Sequence, residues 1–131
     1  MIVLDTHVWL RWVIGSGADL PQAMVSAVWA ADLVAVSGIS CWEVLLLEQR
    51  NRIELPMPAS QWVLRALAPT GIVCLPVSCE IASRAAALTQ HHKDPADRII
   101  IATAIEHQAD LLSLDGQFPA YAEIAGHLIG P

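Results

Sequence analysis

Two apolar runs that stop on an aspartate constrain this chain more than any other feature. Ile2-Val3-Leu4 ends at Asp5, and Leu111-Leu112-Ser113-Leu114 ends at Asp115. Both are too short for a helix, and the first shows no polar alternation, so they read as strands buried on both faces. Strands of that kind belong to parallel sheets, whose crossovers are helices. The intervening sequence supplies them. Helical patterns run over 6–14, 23–31 (with Pro21 in the first turn), 41–51, 60–67, 78–90 and 95–107. Further strands are expected over 33–36 and 72–75, and a short edge strand over 127–129. Alternation of this type predicts an α/β fold around a mostly parallel sheet. With 131 residues and no linker, repeat or low-complexity tract, the expectation is one domain spanning 1–131.

Charge narrows the function. Lys and Arg number 7 against 13 Asp and Glu, a net charge of −6. A broad basic surface for nucleic acid is therefore excluded, and any phosphate-bearing ligand must be met by metal ions or a few arginines. Hydrophobic residues make up 55% of the chain and mean hydropathy is +0.50, which excludes disorder. Cys41, Cys74 and Cys79 include no CxxC pair and lie in apolar or helical stretches, so buried reduced thiols are expected. The amino end lacks a basic leader, and charge interrupts every apolar stretch before the ~18 residues a membrane span needs. A soluble cytoplasmic protein with no membrane partner is the expectation.

The carboxyl ends of parallel strands share one edge, and helices that leave the sheet begin there. Asp5 and Asp115 close two strands. Glu43 lies on the helix after the second strand, and Asp97 on the first turn of the helix opened by Asp94-Pro95. All four acids can converge. Crowded carboxylates raise one another's pKa unless a counter-ion is present. An all-oxygen set suits a hard divalent ion, Mg²⁺ or Mn²⁺, rather than zinc. The chemistry such a site performs best is phosphodiester hydrolysis.

Structural readings compete with this one. Ser40-Cys41-Trp42-Glu43 has the form of a capping box, with Ser40 as N-cap. Asp94 is placed to cap its helix, with Pro95 following and Asp97 complementing the dipole. Asp5 and Asp115 suit turns after strands. Thr6, Ser37 and Ser113 are hydroxyls beside the acids, placed either to support a carboxylate or to make ordinary cap bonds.

Four blocks together settle the comparison: Asp5-Thr6-His7-Val8; Ser37-Gly38-Ile39-Ser40-Cys41-Trp42-Glu43; His92-Lys93-Asp94-Pro95-Ala96-Asp97-Arg98 running into Ala102-Thr103-Ala104; and Leu111-Leu112-Ser113-Leu114-Asp115. In order and spacing the sequence resembles the PIN-domain nucleases, specifically the VapC-type toxins of toxin–antitoxin pairs, over nearly its whole length. The resemblance implies a three-layer α/β/α fold with four or five strands, and a Mg²⁺- or Mn²⁺-dependent endoribonuclease. It also implies inhibition by a cognate antitoxin, and a homodimer. It places the metal-binding and catalytic acids at Asp5, Glu43, Asp97 and Asp115; beside them Thr6, Ser37, Ser113 and Asp94 are the expected supporting residues. Ser113 stands where Thr is commonest, Leu47 where many relatives carry Lys, and Asn51 where Gly often precedes the basic residue.

Arg98, Lys93 and Arg11 are the expected RNA contacts, with Arg50 and Arg52 as further candidates. Arg98 is placed either to pair with Asp94 or to reach a phosphate from the rim. Histidine ligation by His7, His91 or His92 is not expected, since nothing in the spacing matches a zinc site. The five tryptophans, Trp9, Trp12, Trp29, Trp42 and Trp62, are assigned mostly to the core, with part of the Trp9/Trp12 face left for a partner. Two rivals stand beside the nuclease: a catalytically silent binding module on the same fold, and a phosphoryl-accepting receiver-type protein. The second is disfavoured because Lys93 is the sole lysine and no strand ends on one.

Overall fold

A computed structural model describes residues 1–89 and 94–130. Five strands form one sheet in the order β3-β2-β1-β4-β5. They are β1 (Ile2–Leu4), β2 (Val34–Ser37), β3 (Ile72–Leu75), β4 (Asp110–Leu112) and β5 (Leu128–Ile129). Every pairing is parallel, with Leu4 opposite both Val36 and Leu112. The chain builds outward from β1 to β2 and β3, then crosses back to lay β4 on the other side of β1. That reversal makes the β1/β4 boundary the switch point of the sheet, where a crevice opens at the carboxyl edge.

The helices are α1 (Thr6–Gly15), α2 (Gln22–Ala30), α3 (Gly38–Gln49), α4 (Ala59–Arg65), α5 (Cys79–Ala87) and α6 (Pro95–Glu106). Side-chain alternation along the strands splits the core in two. Ile2 and Leu4 pack with Trp9, Met24 and Trp62 on one face. Val3, Ala35 and Leu111 pack with Ile100, Ile101 and Tyr121 on the other. Ile81 and Ala85 of α5 close against Ala102 of α6. Helices therefore cover both faces, and the three-layer α/β/α architecture follows.

Boundaries differ from the sequence reading where a cap decides them. The third helix begins at Gly38 rather than Cys41, because the Ser37 hydroxyl accepts the Ile39 amide at 3.3 Å. Ser40 thus sits inside the first turn and forms no capping box with Glu43. At the end of α1, Ser16 turns left-handed with φ 53°, and Gly17 follows at φ +77°. A Cβ on Gly17 would lie 2.8 Å from the Trp12 ring, so only glycine fits there. Asn51 is also left-handed, at φ 54°, which explains how it substitutes for the glycine of relatives.

Two assignments to the core are corrected. Trp9 and Trp62 are buried, with ring centroids 5.1 Å apart and the Trp9 indole donating to the Ala66 carbonyl at 2.9 Å. Trp12, however, is half-buried and meets Trp29 edge-on at 5.6 Å, while Trp29 is 77% and Trp42 51% exposed. The thiols are not buried either: Cys74 and Cys79 are exposed and Cys41 is half-buried. β3 is the outer strand of the sheet, which leaves Cys74 open. The Cys41 thiol is pushed up to about 11, first by burial and then by Cys74 beside it. Among the described residues, no helix is long and apolar enough to cross a membrane.

Candidate metal centre

Asp5 leaves β1 at the centre of the sheet and begins α1. It is only 4% exposed, and both carboxylate oxygens are bonded. Oδ1 accepts the Thr6 amide at 2.7 Å, and Oδ2 accepts the Ser113 hydroxyl at 2.8 Å. Burial raises its pKa despite those two bonds, which act to lower it. Ser113 also accepts the Asp115 amide at 3.0 Å, and Asp115 Oδ1 accepts the Gln117 amide at 2.8 Å. One hydroxyl therefore links the ends of the two strands that flank the switch point.

Glu43 reaches the same edge from the second turn of α3. Its Oε1 accepts the Thr6 hydroxyl at 2.5 Å, and Thr6 Oγ1 lies 2.8 Å from the Ser40 hydroxyl. Thr6 and Ser40 are both buried. The side chain that looked like a capping glutamate is held by the helix across from it. Its pKa is pushed up to about 7, chiefly by burial, with Asp5 and Asp94 adding repulsion.

Asp97 comes from the first turn of α6. Burial, then Asp94, Asp5, Glu43 and Asp115 in that order, push it up to about 8. Every acid selected from the sequence thus acts on Asp97 through space. The tightest grouping is a different one. Glu43, Asp94 and Asp97 each bring one carboxylate oxygen within 4.8 Å of the others. Asp94 also caps α6, accepting the Ala96 amide at 3.0 Å through Oδ1. Its cap role was legible, and it stood among the expected supporting residues, but its closeness to Glu43 and Asp97 was not, because an Asp before Pro reads first as a helix start.

The donor set is all oxygen, and its ionised form is disfavoured first by burial and then by crowding. Both properties fit a hard divalent cation, which would offset the repulsion that raises Glu43 and Asp97. Asp5, though fully bonded, keeps a second lone pair on each oxygen.

The remaining candidates scatter. Ser37 is buried, and its hydroxyl caps α3 and lies 3.3 Å from Thr103 Oγ1. It therefore steadies the helix that carries Glu43 rather than touching an acid. Arg98 corrects the expectation of a rim cation. It is 7% exposed, and its guanidinium donates to the carbonyls of Leu88 at 2.8 Å and Thr89 at 3.0 Å. It staples the end of α5 to α6 and is unavailable to a phosphate. Arg11 and Arg52 are exposed. Arg50 does line a cavity beside Glu43 and Asp94. Lys93, His91 and His92 lie outside the described residues.

Acidic side chains with an all-oxygen donor set thus gather at the carboxyl edge of a parallel α/β/α sandwich. The PIN domain family model matches residues 2–124. Ribonuclease VapC22 of Mycobacterium tuberculosis is 36% identical over 115 residues, covering 87% of this chain and 86% of that protein. The chain belongs to the PIN-domain family. Solved structures agree on the fold. VapBC2 from Rickettsia felis, bound to promoter DNA, superposes with a TM-score of 0.71 at 14% identity, covering 99% of this chain and 98% of that one. VapC20 of M. tuberculosis, a toxin that cleaves the sarcin-ricin loop, gives 0.65 at 17% identity over 95% and 98%.

Proposed function

We propose that the chain is an endoribonuclease that hydrolyses RNA phosphodiesters with Mg²⁺ or Mn²⁺, and acts as the toxin of a toxin–antitoxin pair. The convergence of Glu43, Asp94 and Asp97 within 4.8 Å, with Asp5 and Asp115 acting on Asp97, carries this reading. Identity to a ribonuclease over most of the chain supports the substrate. Neighbouring structures that are toxin–antitoxin complexes, including one from Klebsiella pneumoniae at TM-score 0.65 and 21% identity, support an antitoxin partner and the intracellular role that goes with it. A homodimer is the proposed assembly, following the family resemblance.

Asp5, Asp97 and Asp115 are the proposed holders of the principal ion, with Glu43 and Asp94 completing the set. Bound there, the cation supplies Lewis acidity to the phosphate and a lowered pKa to an attacking water. The chain's own residues do the rest. Ser113 and the Thr6 amide fix the Asp5 carboxylate, and Thr6 aims Glu43. Glu43, held by the Thr6 hydroxyl, is placed to take a proton from water as it attacks.

The test is cleavage of total RNA by the purified protein. Cleavage that requires Mg²⁺ or Mn²⁺ and stops with excess chelator supports the reading. Cleavage that persists in chelator overturns the metal mechanism, and an inert protein with all acids intact favours the silent binding module instead.

A further inference from the structure

α3 and the start of α6 enclose a cavity of about 230 Å³ whose wall includes Trp42, Glu43, Leu46, Leu47, Arg50 and Asp94. Five of these lie on one face of α3, and Asp94 faces them from the head of α6. Two of the clustered acids, Glu43 and Asp94, therefore form one end of the cavity. Trp42, Leu46 and Leu47 give it an apolar side, and Arg50 stands at the far end of α3. The rise of an α-helix separates positions 43 and 50 by roughly 10 Å.

We propose that this cavity is a nucleobase site, in which Trp42 stacks on a base of single-stranded RNA next to the bond being cut. The inference deepens the nuclease reading and rests on it. Three observations carry it. Trp42 is 51% exposed on a rigid helix, immediately before Glu43. A half-exposed indole offers a π-face on which an unpaired base can stack. That suits a chain whose net charge is −6, which lacks the electrostatic means of RNA capture. The cavity is also smaller than the ~300–1,000 Å³ of small-molecule pockets, so it admits one base rather than an oligonucleotide.

The polarity of the wall matches the same ligand. A nucleotide placed with its phosphate toward the acids and their cation puts its base against Trp42 and the leucines. The next phosphate then runs toward Arg50. An apolar side chain of a protein partner fits worse, because it would dehydrate Arg50 without pairing it.

The test measures equilibrium binding of a fluorescein-labelled single-stranded RNA dodecamer, and of an abasic ribose-phosphate dodecamer, in the Asp97→Asn background that blocks cleavage. Trp42→Ala should weaken RNA binding by about 5- to 100-fold, the range expected for one lost stacking contact. Trp42→Phe should stay within about threefold of the parent. Neither should alter binding of the abasic strand. Arg50→Ala should weaken both strands alike and flatten the salt dependence. In cleavage assays Trp42→Ala should raise KM more than it lowers kcat.

RNA affinity indifferent to Trp42→Ala, in a variant with unchanged thermal unfolding, overturns the inference and assigns the wall to a protein partner. If that indifference accompanies metal-dependent cleavage by the unaltered protein, the nuclease reading stands alone. If the unaltered protein is inert yet binding depends on Trp42, the base site stands and the nuclease reading falls.

Discussion

Ser113, just past β4, donates its hydroxyl to Oδ2 of Asp5 at the end of β1, 2.8 Å away and 108 positions apart in sequence. The bond spans the switch point and holds a carboxylate that burial otherwise disfavours. Removing it in Ser113→Ala leaves a buried acceptor with one donor fewer. A loss of about 1–3 kcal/mol in unfolding free energy is expected from denaturant titration of the metal-free protein. Ser113→Thr keeps the hydroxyl and should recover most of it.

Thr6 is a positioning residue. It donates to Glu43 at 2.5 Å from a buried site, and its loss leaves Glu43 free to rotate. Thr6→Val should reduce metal-dependent cleavage by about 10- to 100-fold, the range seen when a partner of a metal ligand is removed. The metal concentration at half-activity should rise, and Thr6→Ser should restore both. Circular dichroism that shows the fold intact separates this outcome from simple unfolding.

The raised carboxylates fix the sign of a pH effect. Asp97 moves from the usual carboxylate value to about 8 and Glu43 to about 7. The folded protein therefore holds protons that the unfolded chain releases above pH ~4. Stability is highest below that point and falls as pH rises toward 8, because ionisation is resisted only in the folded state. Melting of the metal-free protein should show a decline of several degrees between pH 5 and 8. Mg²⁺ should abolish most of it, and Asp97→Asn should flatten it while abolishing cleavage. A flat profile in the metal-free parent would mean that burial and crowding do not hold these acids protonated.

Arg98 gives the opposite kind of result from the one its place beside Asp97 suggests. Its guanidinium serves the carbonyls of Leu88 and Thr89, so Arg98→Ala strands buried acceptors. Destabilisation of about 2–4 kcal/mol is expected by thermal or denaturant unfolding. RNA affinity of the folded fraction should not change.

Much of this architecture could be read in advance, and the reason is periodicity. A strand buried on both faces has no polar alternation, so Ile2-Val3-Leu4 announces a parallel sheet, and its final Asp marks the edge where ligands bind. Caps were less legible because Ser37 and Ser40 are both good candidates, and only the backbone path chooses between them. That choice decides whether Glu43 is a cap or a carboxylate held by Thr6. Trp42 and Arg98 were misplaced for a related reason. Residue type gives an average tendency to burial, whereas the helix phase that turns Trp42 outward and Arg98 inward depends on tertiary contacts far away in the chain.

Asp5 accepts the first amide of α1, and its own amide bonds the Leu112 carbonyl at 2.9 Å. It is therefore part of the scaffold as well as a proposed metal ligand. A lineage that abandoned cleavage would keep this aspartate to hold its shape, and Asp115 to hold the turn at Gln117, while Asp97 drifted. Survival of Asp5 in a distant cousin is thus a poor sign of enzymatic life, and Asp97 is the better witness.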